Sequence, residues 1–568
     1  MKAKTRDMSR KSNGKEAEFV FVPLGGVGEI GMNLYLYGYG SEGNRDWLIV
    51  DMGVTFGSET EPGVDVILPD ISFLAEEKHN IVGLLLTHAH EDHFGAVVDL
   101  WPQLAGVPVY ATPFTAEMLK SKLSEMGLAN GFPLQLMPLG DRRAIGPFDV
   151  ELISMSHSIP EPSAVVIRTP LGAALHTGDW KLDESPLTSA PTDEARLKEL
   201  GNEGLAALIC DSTNAVRDGV SLSEADVAVT LNRLIGKARQ RVAVTTFASN
   251  VARLRSVANA TRAAGRELVV VGRAMYRVIE AAQATGYLDK DLSFHDETAF
   301  AKLPPRTVVA LCTGSQGEPR AALARIAQGE HPNVTLDPGD RVIFSSRTIP
   351  GNEKPVGRVQ NGLADRGIEV ITDQDAAVHV SGHPRRGELE RLYGWVKPTV
   401  AIPMHGEGRH LEAHALLAER LGVTEVVRAR NGTMVRLLPG PAAIIDEVPV
   451  GRLYRDGMIL TREGDGQVRE RRKLSFAGSV AVSLVLSDKG ALLADPEVAV
   501  TGLPATDTQG TPFSTIARDA AIGTIESIPK PRRKDSALVS EAVRRSVRAA
   551  VNQAWGKKPM CSVLLTVL

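Results

Sequence analysis

The sequence predicts an α/β fold in three parts, and three observations predict it. Residues 18–215 alternate short strand-like runs with turns, the rhythm from about residue 218 becomes strand–helix–strand, and roughly the last ninety residues read as a small α+β unit. In the first part, Phe19–Pro23, Met32–Tyr39 and Trp47–Asp51 have strand patterning, followed by Val82–Leu86, Val109–Ala111, Val150–Met155, Ala164–Thr169 and Ala173–Thr177. Gly26-Val-Gly28-Glu-Ile-Gly31 has the G-x-G-x-x-G spacing of a dinucleotide loop, which needs a helix after the glycines. Met32-Asn-Leu-Tyr-Leu-Tyr37 alternates like a strand instead, so the glycines are expected in a tight strand-to-strand turn.

In the second part, Ser221-Leu-Ser-Glu224 reads as a capping box opening an amphipathic helix to about Arg239. Arg241–Thr246, Glu267–Val271, Val308–Cys312, Arg341–Ser345 and Glu369–Thr372 are buried-type strands. Asn250–Ala264, Ala274–Ala284, Arg320–Gln328 and Pro355–Asp365 fall between them, which makes a parallel sheet. Ala377–Val380 and Thr399–Pro403 are expected as strands around a helix from Arg386 to Trp395. Charge density marks residues 451–475 as a linker. The third part, 476–568, carries a helix with Val539, Val543, Val547, Val551 and Trp555 four apart on one face.

At 568 residues the chain is too long for one ordinary core. Its 43% hydrophobic and 23% charged residues are ordinary for a soluble globular protein, and no apolar run nears the ~20 residues of a membrane span. Six Lys or Arg in residues 1–17, with no apolar stretch behind them, read as a disordered basic tail and not a signal peptide. Cys210 and Cys312 sit in apolar runs and, with Cys561, make no disulfide framework, which suits a reducing cytoplasm. A net charge of −4 confines any polyanion site to a local groove.

The chemistry begins at Thr87-His88-Ala-His90-Glu-Asp92-His93, directly after the apolar strand Val82–Leu86. A buried strand ending in three histidines and an aspartate is costly unless a metal offsets the cluster, and imidazole with carboxylate suits zinc. Four donors within six residues exceed what one ion takes from a short loop, so two adjacent ions are expected. Three more strand ends supply His157, Asp179 (in His176-Thr-Gly-Asp179) and His405. Val380-Ser381-Gly382-His383 precedes a helix, and its backbone N–H groups, hydroxyl and imidazoles suit a phosphate. Gly314-Ser315-Gln316-Gly317 lacks the Lys of an ATP-binding loop, which disfavours ATP there. Lys530–Lys534 and Arg544, Arg545 and Arg548 are expected to be solvated faces.

These residues together resemble the metallo-β-lactamase superfamily. The resemblance implies that His88, His90 and His157 hold one ion, that Asp92, His93 and His405 hold the other, and that Asp179 bridges. Asp51, ending Leu48-Ile-Val-Asp51, matches the early aspartate that supports the ligands. The βαβ block before the last ligand resembles the β-CASP nucleases, with Asp211, His383 and His405 at their three motif positions. A histidine at the last of these goes with RNA-processing members. Thr313–Pro319, Ser345–Glu353 and the C-terminal part extend the likeness to the ribonuclease J family over residues 18–568.

The resemblance implies an αββα metallo-β-lactamase sandwich (18–217 and 376–450), an inserted β-CASP domain (218–375) and a small C-terminal α+β domain (476–568). It implies a cytoplasmic zinc-dependent exo- and endoribonuclease of RNA maturation and mRNA decay. Such an enzyme carries two zinc ions, with manganese or magnesium as alternatives in activity. The expected catalytic set is Asp92, Asp179, His383 and Asp211; the expected substrate-binding set is His379, Ser381, Gly382, His383 and Ser315. The expected partner is single-stranded RNA with a 5′ monophosphate, bound by a homodimer or homotetramer away from membranes. Two rivals remain: a hydrolase of small esters, thioesters or lactams, which needs no long inserted roof, and a non-catalytic RNA scaffold, which would have lost ligands.

Overall fold

A computed structural model describes residues 16–568. All but the last two residues of the basic tail expected over 1–17 lie outside the described residues. The chain divides into two compact units, one of residues up to 55 with 67–452, the other of 56–66 with 453–568.

Two mixed sheets face each other in the first unit. One places Thr433–Leu438, Glu18–Gly25, Leu34–Ser41, Asn44–Val50, Ile81–Leu85 and Val109–Ala111 side by side. The other runs Arg142–Ile145, Phe148–Ser154, Ser163–Thr169, Gly172–His176, Ala207–Asp211, Val400–Met404 and Glu425–Val426. Alternation along the strands decides what each face meets. Phe21, Tyr35, Leu48 and Val50 pack against Val150, Leu152, Val165, Ile209 and Ile402 in a shared core. The intervening Ile153, Ala164, Val166, Leu208 and Ala401 point outward onto Leu197, Leu389, Leu392 and Leu417. Those last four lie on the helices Glu194–Glu203, Arg386–Val396 and Gly408–Arg420.

Ala207–Asp211 and Val400–Met404 are parallel neighbours, yet the whole βαβ block lies between them in the chain. That block is a five-stranded sheet ordered Glu267–Val271, Val308–Cys312, Val242–Thr245, Arg341–Phe344 and Glu369–Ile371. Every pairing in it is parallel, as the continuous apolar runs predict. The glycines of Gly26–Gly31 lead into the strand Leu34–Ser41, so they form a turn and no nucleotide loop.

Three local expectations are corrected. The helix over Glu224–Lys237 is capped by Ser223 with Asp226, two residues later than the predicted box. Ser221 instead donates to Glu388 (Oγ–Oε2 2.9 Å), and Glu224 is buried in an ion pair with Arg253 at 3.0 Å. Ala377–Val380 forms no strand, because the Val378 carbonyl accepts from Arg253 Nη1 (2.9 Å) and Ser345 Oγ (2.7 Å), not from a ladder neighbour. Removing either member of a pair such as Arg253–Glu224 strands a buried charge, a cost of about 3–5 kcal/mol. The stretch 451–475, read as a linker, contains a hairpin of Arg452–Asp456 with Ile459–Arg462 and most of the helix Gln467–Ala477. Its charges lie on the outside of that helix, where only Val468 and Ala477 are buried.

The second unit holds a three-stranded sheet with Ser479–Leu486 in the centre, antiparallel to Glu497–Thr501 and parallel to Met560–Val567. The helices Phe513–Ser527 and Ser536–Trp555 pack on it. Val539, Val543, Val547 and Val551 are fully buried, as their spacing predicts. Among the described residues no helix is long and apolar enough to cross a membrane.

Candidate metal centre

Strand direction builds the site. Asn44–Val50 and Ile81–Leu85 run parallel in one sheet, Gly172–His176, Ala207–Asp211 and Val400–Met404 in the other. Their C-terminal ends deliver Asp51, the His88–His93 loop, Asp179, Asp211 and His405 to one edge of the sandwich. The loop folds as one helical turn, Glu91–Phe94, begun by His90. Asp51 and His405 sit at φ 63° and 49°, in the left-handed region that turns each side chain off its strand line.

Three groups of donor atoms result, each with all members within 4.8 Å of one another: Asp179 with Asp211, His383 and His405, and two that draw on the His88–His93 loop, namely His88, His90, His157 and Asp179, and Asp92, His93, Asp179 and His405. Asp179 belongs to all three, with Oδ2 at 4.0 Å from His88 Nε2, 3.8 Å from His157 Nε2, 3.2 Å from His93 Nε2 and 3.4 Å from His405 Nε2. His90 Nδ1 is 3.1 Å from both His88 Nε2 and His157 Nε2.

The outer hydrogen bonds set which ring nitrogens face inward with a lone pair. Thr87 Oγ1 donates its one proton to Asp51 Oδ2 (2.9 Å), so its oxygen accepts from His88 Nδ1 at 3.0 Å. His157 Nδ1 donates to the Gly382 carbonyl (2.6 Å), and His93 Nδ1 to Asp51 Oδ2 (2.7 Å). Each ring therefore turns Nε2 to the centre. A Cβ on Gly382 would stand 2.4 Å from the His157 ring, so only glycine fits there.

Electrostatics agrees with a cation site. Burial and the neighbouring imidazoles hold His88 and His157 well below the usual histidine range, and His90 is pushed down to about 4 by burial above all. Burial works against the charge of Asp179, but His405, His93 and His383 outweigh it and hold the carboxyl well below its usual range. Asp179 Oδ1 and His405 Nε2 are buried without a hydrogen-bond partner among the described residues. His88, His90 and His157, low in basicity beside a shared carboxylate, with unpaired atoms aimed inward, are donors that suit zinc. Burial lowers the pKa of His93, but Asp179, Asp92 and Asp51 outweigh it and raise it well above the usual range, so a cation bound there would displace a proton.

His383 flanks the group. Its Nδ1 is 2.8 Å from Asp211 Oδ2 and 3.7 Å from Asp179 Oδ2. Burial lowers its pKa, but Asp211 and Asp179 dominate and raise it to about 9. Thr213 fixes Asp211 through N–H and Oγ1 (2.9 and 2.8 Å to Oδ1). Ser381 Oγ accepts from Asn214 Nδ2 (2.8 Å) and from the His383 N–H (3.3 Å), tying the turn in front of the helix Arg386–Val396. His379 is neutral, held far down by burial and by Arg253, Arg347 and Lys181.

Ser315 is buried at the end of Val308–Cys312, and among the described residues no hydrogen bond links it to the His/Asp group. Its neighbour Gln316 makes the polar contacts, donating to the Arg347 carbonyl (2.8 Å) and accepting from the Ile349 N–H (2.8 Å). The sequence reading missed Asn33, fully buried behind the site, and a guanidinium cluster. Burial, then Arg347 and Arg385, depress the basicity of Arg217, with Asp373 partly offsetting this. Burial also depresses Arg347, where Asp373 opposes and Arg385 adds to the effect. Three separated arginines in a chain with 64 Lys and Arg carry no sequence signal until the fold gathers them.

Family models match this layout: "Beta-lactamase superfamily domain" at 60–196, "Ribonuclease J, beta-CASP domain" at 239–363, "Zn-dependent metallo-hydrolase RNA specificity domain" at 368–428 and "Ribonuclease J C-terminal domain" at 466–567. Fold and site thus define a metal-dependent hydrolase of the metallo-β-lactamase class with an inserted β-CASP domain. The chain is 53% identical over 552 residues to ribonuclease J of Sinorhizobium meliloti, covering 97% of this chain and 98% of that one. It is 40% identical over 542 residues to ribonuclease J of Mycolicibacterium smegmatis (94% and 95% covered) and 38% over 483 residues to that of Thermus thermophilus (84% of each). The chain belongs to the ribonuclease J family and is a metal-dependent ribonuclease. A solved protein of unknown function from Enterococcus faecalis shares the fold, with a TM-score of 0.51 and 16% identity over 74% of this chain and 100% of its own.

Proposed function

We propose that this chain hydrolyses single-stranded RNA with two zinc ions, working 5′→3′ from a monophosphorylated end and also cutting internally. The observation that carries the reading is the sharing of Asp179 by the two donor groups that draw on the His88–His93 loop, each of three further ligands. His88, His90 and His157 hold one ion, Asp92, His93 and His405 the other. When bound, the ions activate the attacking water and neutralise charge on the scissile phosphate, and manganese or magnesium substitutes in activity. The chain's own residues do the rest. Asp51 and Thr87 orient the imidazoles, and His383, kept protonated by Asp211, donates to the leaving oxygen. Ser381, Gly382 and His379 line the terminal phosphate, and Arg217, Arg347 and Arg385 offset the charge of the strand.

Retention of every metal ligand argues against a scaffold role, and the inserted domain against a small substrate. The test is incubation of zinc-loaded protein with 5′-labelled and 3′-labelled RNA. A ladder of 5′-phosphorylated products with loss of the 5′ label first supports the reading, and no cleavage of either RNA sinks it. Ribosomal RNA maturation and mRNA decay in the cytoplasm are the settings this activity serves.

The terminal preference has its own test. A compact turn tied by Asn214 takes one phosphate, while a triphosphate adds bulk and charge, and a bare hydroxyl leaves the donors without a partner. Monophosphorylated RNA is expected to be degraded about tenfold faster than triphosphorylated RNA, the worth of roughly one charge-assisted hydrogen bond. Ser381→Ala narrows the ratio, and internal cuts ignore the end. Equal exonucleolytic rates on matched RNAs would show that the turn does not read the terminus.

Assembly as a homodimer or homotetramer is proposed through the last strand. Met560–Val567 is an edge strand, with Leu564 65% exposed and Val567 49% exposed. Light scattering after size exclusion is expected to give fewer chains per particle for Leu564→Lys and for a chain ending near residue 450. An unchanged number of chains per particle in both variants contradicts assembly through this strand.

A further inference from the structure

The turn Gly26–Gly31 was set aside as a nucleotide loop, and what it supports is Asn33. Asn33 is fully buried, and its amide touches all three residues of one donor group. Nδ2 is 2.9 Å from the Asp92 carbonyl, 3.5 Å from Asp92 Oδ2 and 3.0 Å from His93 Nε2. Oδ1 is 2.8 Å from His405 Nδ1 and accepts from Tyr35 OH at 2.7 Å. The orientation of this amide is forced. A main-chain carbonyl only accepts, so the atom facing Asp92 O is the NH2 group, and the oxygen faces His405. His405 Nδ1 must then carry the proton, which leaves the lone pair on Nε2, the buried atom without a partner.

The backbone holds Asn33 in place. The Asn33 N–H donates to the Asp92 carbonyl (3.0 Å), and the Gly26 carbonyl accepts from the His405 N–H (2.7 Å). A Cβ on Gly26 would lie 2.4 Å from Asn33 Oδ1 and 2.3 Å from Tyr35 OH, so the glycine leaves the room the amide needs. Among the described residues the other donor group has no such shared partner: His88 leans on Thr87, and His157 on Gly382.

We infer that Asn33 is a positioning residue for one ion only, holding Asp92, His93 and His405 as a single pocket while leaving the His88–His90–His157 pocket untouched. This rests on the two-ion reading above. Outer partners of metal ligands are worth about 10–100-fold in metal affinity, and here one amide serves three ligands.

The test is zinc binding by Asn33→Ala and by the near-isosteric Asn33→Asp, which keeps an acceptor for His405 but loses the donor to the Asp92 carbonyl. Zinc per folded chain is measured at buffered free zinc, and affinity by competition with a chromophoric chelator. Wild type is expected to hold two ions. Asn33→Ala is expected to hold one, with the second weakened about 10–100-fold and the first within about twofold. Asn33→Asp falls between them. Two ions at wild-type affinity in both variants overturn the inference, as does equal weakening of both ions. A wild type that saturates at one ion overturns the two-ion reading itself, a result read before any variant is made.

Discussion

Asp179→Ala and His88→Ala are each expected to lower the rate of RNA cleavage to less than about a thousandth of wild type, because the ions supply several kcal/mol of transition-state stabilisation and about 4 kcal/mol is a thousandfold. Asp179 is the larger case, since its Oδ2 lies within 4.0 Å of His88, His157, His93 and His405 alike. His88 removes one of three imidazoles from a single pocket. Neither side chain belongs to the hydrophobic core between the sheets, so metal-stripped variants are expected to unfold within a few degrees of metal-stripped wild type. The check is single-turnover cleavage with zinc content measured on the same sample. A rate above a few per cent of wild type in either variant, with zinc fully loaded, contradicts the ligand assignment.

The second large effect belongs to His383. His383→Ala is expected to lower kcat by about 10²–10⁴-fold, the usual worth of a positioned acid, with two zinc ions retained. Asp211→Asn keeps the hydrogen bond's geometry but removes the charge that favours protonated His383, and a smaller loss follows. The pair is informative because His383, Asp211, Asp179 and His405 also form a metal-type cluster within 4.8 Å. Loss of zinc from His383→Ala would make the residue a ligand and remove it as the acid. An RNA with a better leaving group, such as a thio-substituted linkage, restores most of the His383→Ala rate if proton donation is the role.

The candidate metal ligands were legible because each ends an apolar run, and a polar residue at the end of a buried strand has few other reasons to be there. His88–His93, His157, Asp179 and His405 are all such ends, and the structure brings them together. Asn33 left no trace because one Asn between a turn and an alternating strand looks like surface. Its burial comes from strands that pair with distant parts of the chain. The guanidinium cluster of Arg217, Arg347 and Arg385 is a product of the inserted domain folding back. The capping box was misplaced by two residues because Ser221 and Ser223 both have the right chemistry. Glu388 takes Ser221 and leaves Ser223 to cap, a choice made by a residue far along the chain. Ala377–Val380 has strand composition, but Arg253 and Ser345 claim its carbonyl first.

The pairing of Val400–Met404 with Ala207–Asp211, and of Thr433–Leu438 with Glu18–Gly25, bears on how the enzyme is made. One sheet of the sandwich waits for Glu425–Val426 and the other for Thr433–Leu438, and His405 meets Asn33 across 372 residues of sequence. Such non-local closure is slow. A nascent chain therefore carries the histidine-rich loop for most of its synthesis without a finished centre. The message being translated, an RNA held close at hand, is spared a working nuclease until its own reading is almost done.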